Sequence, residues 1–152
     1  MKRCITWLLL LCMTAALLLP VQAAAAEDPV TEVIYLENGD SIVVTLEVMG
    51  ARTSGTKTAS KSYTYYNSLG NKAWTVTLTG TFTYTGTTST CTKASSAITF
   101  HDSTWYLKAK STKASGSSAI VNLTVCRELE GTVARTESCT VTLTCDKNGN
   151  LS

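Results

Sequence analysis

Little in this chain of 152 residues belongs to the usual equipment of an enzyme. It has one histidine, His101, followed by Asp102, Ser103 and Thr104. Adjacent residues on a strand or turn point apart, so this trio cannot assemble a Ser-His-Asp relay locally. Paired carboxylates of the glycosidase kind would have to come from the acidic N-terminal segment, where nothing else motivates them. None of the cysteines stands in a C-x-x-C pair, which argues against zinc. A glycine-rich phosphate loop, a nucleic-acid motif and an amphipathic helical period are all missing. The expectation is a protein that is not an enzyme, with no cofactor, no metal and no nucleic-acid partner.

Long apolar runs are also scarce, with one exception at the start. Lys2 and Arg3 precede an apolar run from Ile5 to Leu19, and Pro20 and the small residues Ala23 to Ala26 follow it. Residues 1–26 therefore read as a secretory signal peptide, because a permanent span needs about 20 apolar residues. Cys12 is preceded by leucines where a lipoprotein site needs a small residue. Cleavage after Ala23 or Ala26 would leave a secreted or cell-envelope-associated chain, with no membrane anchor, beginning near Glu27.

Without Lys2 and Arg3 the 13 basic residues fall to 11 against 11 acidic ones, so the exported chain is formally neutral. The charges are nonetheless segregated. From Glu27 to Glu47 every charged residue is acidic, whereas from Arg52 to Lys113 eight basic residues face Asp102 alone. An acidic glycan or cell-wall polymer would suit the basic region, although spaced lysines also solubilise a sheet and protect its edges.

The clearest structural signal is Trp74 to Thr85, WTVTLTGTFTYT. Trp74, Val76, Leu78, Phe82 and Tyr84 share one parity and threonine fills the other, the period-two pattern of a half-buried strand. The run is about twice a usual strand, and Gly80 at its middle suggests a bulge or a bend carrying it between sheets. Other strands are expected at Val33–Leu36 and Ile42–Val48 around a turn at Asn38-Gly39, and at Ser62–Asn67, Ala97–Phe100 and Thr104–Lys110. Two more centre on Ala119–Val125 and Cys139–Cys145. Met49 to Ser60 lacks apolar periodicity and reads as a linker. The division expected is residues 1–26 signal peptide, 27–60 acidic β-hairpin and linker, and 61–152 a disulfide-bonded sandwich. The fold class is all-β, an antiparallel two-sheet sandwich of immunoglobulin-like Greek-key type, with a partly open barrel as alternative.

Export leaves Cys91, Cys126, Cys139 and Cys145, an even number that implies disulfides. Cys139 and Cys145 lie roughly 20 Å apart on one extended strand and cannot pair. Of the two remaining connectivities, Cys91 with Cys145 and Cys126 with Cys139 is favoured, since Cys126 and Cys139 are about equidistant from the turn at Gly131. Their parities conflict, and a bulge near that turn would be needed to reconcile them. Asp146 to Asn150 has alternating oxygen ligands but no closing carboxylate, so a type I′ turn at Asn148-Gly149 is expected instead of a calcium loop. Asn122-Leu123-Thr124 is formally a glycosylation sequon. The threonine rows lack the fixed repeat of ice-binding arrays and read as a wet sheet face.

Tyr63 to Asn67 (YTYYN), Trp74 to Tyr84 (WTVTLTGTFTY), Cys91-Thr92, Ser103 to Trp105 and Thr140 to Leu151 (TVTLTCDKNGNL) together carry a family likeness. From about Ser60 to Ser152 the chain resembles small, secreted, functionally uncharacterised β-sandwich proteins of Gram-positive bacteria. The resemblance matches Cys91 and Cys145, implies that they pair, and brings no activity with it. The expected function is a non-catalytic binding or adhesion-type module, a monomer whose partner is an unknown extracellular protein or glycan. The ligand surface would be Tyr106, Lys108 and Lys110. The alternative is a secreted inhibitor or small toxin-like effector acting through a disulfide-pinned loop.

Overall fold

The computed structural model describes residues 28–53 and 55–152, so the signal peptide expected at residues 1–26 lies outside the described residues. Eight strands follow one another: β1 (Val30–Tyr35), β2 (Ser41–Thr53), β3 (Thr56–Tyr66), β4 (Lys72–Tyr84), β5 (Ser89–Phe100), β6 (Trp105–Ser115), β7 (Ser118–Leu129) and β8 (Thr132–Thr144). They form a five-stranded sheet in the order β1-β2-β3-β4-β5 and a three-stranded sheet in the order β6-β7-β8, both antiparallel. The sandwich is therefore as expected, and it is not closed into a barrel.

Its topology is not the expected Greek key. Every strand pairs with its sequence neighbour except at His101 to Thr104, where the chain passes once from one sheet to the other. The physical reason is connection length. Tight turns can only return the chain beside itself, and a Greek key needs a long connection over the end of the sandwich.

Three of these turns share one design. Leu36 N–H donates to Asp40 O, Asn67 N–H to Asn71 O and Asp146 N–H to Asn150 O, at 2.9, 3.0 and 2.9 Å. In each, only the glycine before the closing residue has positive φ (Gly39, Gly70 and Gly149), so Asn148-Gly149 is not the type I′ turn that its sequence suggests. The turn with two positive φ values is Glu130-Gly131, between the paired Leu129 and Thr132. That is the geometry of a two-residue type I′ hairpin.

Strand β4 is central and long, and its inward face makes the core. Trp74, Val76, Leu78 and Phe82 are buried against Val121, Leu123 and Val125 of β7 and Val141 and Leu143 of β8. Each such side chain stabilises the fold by about 1.5–3 kcal/mol. Tyr65 stacks on Trp74 with ring centroids 5.3 Å apart and meets Trp105 at 5.8 Å. Outside, the threonines pair across strands: Thr58 with Thr81 at 3.1 Å, Ser62 with Thr77 at 2.9 Å and Thr64 with Thr75 at 3.1 Å. Thr140, Thr142 and Thr144 belong to the other sheet.

Gly80 neither bends β4 across sheets nor bulges it. The strand keeps β3 on one side and β5 on the other along its length, and the extra residue is Thr92 on β5. A Cβ at Gly80 would lie 2.6 Å from the Phe82 ring and 3.1 Å from Ala119 Cβ. The glycine is a seat for the phenylalanine ring.

The linker expected at Met49 to Ser60 is instead strand on both sides of a turn near Gly55. Its small polar residues alternate without apolar contrast, which hid the pattern. β2 and β3 are hydrogen-bonded neighbours, so no division at residue 60 separates the acidic hairpin from the sandwich. The short strand expected at Ala97–Phe100 likewise begins at Ser89, its first half being too polar to show a period.

Candidate functional site

The lysine-bearing strand β6 forms one edge of the three-stranded sheet, and a bulge decides what it presents. Leu107 pairs with Val125 and Ala109 with Thr124, leaving Lys108 as the extra residue. Parity inverts there. Tyr106, opposite Cys126, lies on the outer face, whereas Lys110, opposite the inward Leu123, turns to the sandwich corner and donates to Ser96 O at 3.2 Å. Tyr106, Lys108 and Lys110 therefore do not share the single face that plain alternation predicts. Sequence reasoning missed the bulge because no glycine or proline marks it.

The inversion exposes something else on the outer face. Ala109, Thr124 and Ser138 form one cross-strand row, and Ser111, Asn122 and Thr140 the next. These short side chains floor an open trough of about 410 Å³, with Lys110 at its wall. Thr124 and Ser138 hydroxyls lie 3.0 Å apart, and Thr140 donates to Asn122 Oδ1 at 2.8 Å. This leaves the Asn122 amide nitrogen available as a donor. Tyr106, opposite Cys126, stands in the outward row beyond one end, and Lys113, opposite Ile120, in the row beyond the other. Parity read from Asn122 and Thr124 could have found this grid.

The cysteines separate into two kinds. All four are thiols in this structure. Leu123 pairs with Cys139 and Cys126 with Thr136, and the register between these rows is regular, so Cys139 faces inward and Cys126 outward. The one bulge of this hairpin, between Arg127 and Glu128, lies on the turn side of both rows and cannot bring them to one face. The favoured Cys126–Cys139 pairing is thus corrected: the two sulfurs occupy opposite faces. Burial, with the nearby Glu137, raises the Cys139 thiol to about 11. Cys91 and Cys145 are both buried, and each backbone N–H donates to the β6–β7 turn, to Gly116 O at 2.7 Å and Ser117 O at 3.0 Å. Burial raises the Cys91 thiol first, and the neighbouring Cys145 adds to it.

Elsewhere the polar groups serve the scaffold. His101 Nε2 lies 3.0 Å from Thr75 Oγ1, while Asp102 accepts from Thr104 N and Oγ1 at 2.9 and 2.7 Å. Those bonds to Thr104 hold the Asp102 carboxyl below the ordinary range. Buried Asp40 and Tyr65 cluster with the half-buried Arg135, whose Nη1 is 2.7 Å from Asp40 and whose guanidinium is 5.4 Å above the Tyr65 ring. Among the described residues no three His, Cys, Asp or Glu side chains converge as metal ligands. No helix among them is long and apolar enough to cross a membrane. No family model, curated protein or solved structure matches the chain.

Proposed function

We propose that this protein is a secreted, non-catalytic binding or adhesion-type module acting outside the cell or at its envelope, and that its ligand is an anionic glycan or cell-wall polymer. The observation that carries the reading is the trough on the outer face of β6, β7 and β8. A floor of small side chains lets an extended polymer lie close to the sheet, and hydroxyls beside an amide match the mixed donors and acceptors of a sugar. Lys108, Lys110 and Lys113 line the flank from which an anion would approach. Tyr106 offers an exposed ring at the end of the row for stacking against a sugar face. Compartment enters through the signal peptide, and in an oxidising compartment Cys91 and Cys145 form the bridge, while Cys126 and Cys139 remain thiols.

Two-dimensional NMR titration tests this with soluble acidic cell-wall polysaccharide and a neutral polysaccharide of similar length. Shifts are expected on Ala109, Ser111, Asn122, Thr124, Ser138 and Thr140, stronger for the acidic polymer. The double substitution Asn122→Ala with Thr140→Ala should weaken binding about tenfold, a loss of roughly 1.4 kcal/mol. Absence of binding, or shifts centred on the threonine face of β4, would overturn the assignment.

A further inference from the structure

The acidic hairpin ends in a strand that the sandwich leaves uncovered. Among the described residues β1 lies against β2 alone. All six of its residues are exposed, including Val30 at 67%, Val33 at 45% and Tyr35 at 81%. Its register with β2 is unbroken, so no bulge turns its free edge away. Soluble proteins guard such edges with lysine, proline or bulges, and from Asp28 to Ala51 there is no lysine or arginine at all. The charges of that segment are Asp28, Glu32, Glu37, Asp40 and Glu47, of which Asp40 alone is buried and bound to Arg135.

The opposite flank is the complement. Strand order sets β5 at the far edge of the five-stranded sheet, and β6 lies beside β5 at the corner. That flank bears Lys93, Lys108, Lys110 and Lys113, and among them Tyr106 and Leu107 are exposed at 38% and 36%. Two copies can meet in three ways. Acidic edge against acidic edge and lysine flank against lysine flank each set like charges together. Acidic edge against lysine flank alone joins opposite charges and covers apolar side chains on both partners.

We propose that the occupant of the β1 edge is a second copy of this chain, held head-to-tail with its β5–β6 flank against β1. The contact is heterologous, so each pair keeps one free edge and one free flank, and association continues into linear oligomers unless the rotation closes a ring. This replaces the monomer expected from the sequence. The flank shares Tyr106, Lys108, Lys110 and Lys113 with the approach to the trough, so the two readings are separated by their tests: association is measured without polymer, and the trough by NMR shifts on Asn122, Thr124, Ser138 and Thr140.

Sedimentation of the purified wild-type chain over a concentration series, in low and in high salt, is the first test and needs no variant. Mass should rise with concentration and fall with salt; a monomer throughout the low-salt series overturns the proposal. Charge reversal then identifies the surfaces. E32K/E37K carries a basic edge on a basic flank, and K108E/K113E an acidic flank on an acidic edge, all at exposed positions. Each variant alone should associate at least tenfold more weakly than wild type, and an equimolar mixture should regain oligomers because each supplies the other's complement. A mixture that stays monomeric, or variants that associate like wild type, would refute the head-to-tail contact. If the edge instead serves a foreign cationic protein, wild type stays monomeric while E32K/E37K alone loses that protein from an extracellular pull-down. This result also overturns the second copy as occupant.

Discussion

Asp40 shows how far a residue's role can lie from its local sequence. It closes the turn Glu37-Asn38-Gly39-Asp40, an unremarkable acidic surface turn by composition, yet it is 4% exposed. Its carboxylate accepts from Tyr65 Oη, from Arg135 Nη1 and from Asn38 Nδ2. Burial alone would raise its pKa, but the hydrogen bonds from Tyr65 and Arg135, with the guanidinium charge, more than reverse this. The folded carboxyl thus titrates below its ordinary value of 3.8. For an acid depressed in this way, the linked stability is fully present above the unfolded pKa and is lost as pH falls through the folded one. Asp40→Ala removes the acceptor of Tyr65 Oη and one of the two carboxylates on Arg135, and should cost about 2–3 kcal/mol at neutral pH, the remaining Glu137 pair and the partial exposure of Arg135 holding it below the loss for a fully buried pair. Denaturant melts at pH 7 and below pH 4 check both parts: the gap between wild type and variant should narrow in acid. A constant gap would show that packing, and not the charge, is what Asp40 contributes. None of this was legible beforehand, because Asp40 and Arg135 are 95 positions apart and neither lies in a local pattern.

At the scale of the element, legibility followed contrast. The β4 strand was readable because Trp74, Val76, Leu78 and Phe82 alternate with threonine, and the structure buries that parity. Thr56–Tyr66 is as regular a strand, but its first half, TKTAS, alternates small and polar residues and so reads as a linker in the sequence. The burial of Ala59 and Lys57 within it comes from the neighbours β2 and β4, which no local window contains. The bulge at Lys108 carries no glycine or proline to mark it, so the outward face of Tyr106 was legible from alternation while the inward turn of Lys110 was not. Gly80 reads as a bulge or a bend, whereas the structure seats the Phe82 ring where a Cβ would stand, 2.6 Å from it. Gly80→Ala should therefore cost about 1–3 kcal/mol through overpacking, although alanine suits a strand better than glycine. Combined with Phe82→Leu, which withdraws the ring edge, the penalty of Gly80→Ala should shrink by at least half in a double-mutant cycle of thermal melts. Additive losses would mean that the backbone, and not the ring, demands glycine at this position.

For the whole molecule, the decisive feature is how the two sheets are tied. They share one covalent crossover, His101 to Thr104, so the second link matters more than in a Greek key. Cys91 on β5 and Cys145 just after β8 bracket the β6–β7 turn from opposite sheets, both buried. A bridge between them would close a loop of roughly 55 residues spanning the crossover, and the chain-entropy model puts its stabilisation at about 4 kcal/mol. Its formation removes one proton from each thiol and passes two electrons to a disulfide oxidant, which is reduced to two thiols. Cys126 and Cys139 cannot substitute, since their sulfurs lie on opposite faces of a regular hairpin register. Non-reducing peptide mapping of oxidised protein should yield the Cys91–Cys145 peptide and leave Cys126 and Cys139 open to alkylation once unfolded. Cys91→Ser should then lower the melting midpoint of the oxidised protein sharply and leave that of the reduced protein nearly unchanged. Equal losses in both states would mean that Cys91 acts only by filling the core, and the two sheets would be held by packing and the single crossover alone.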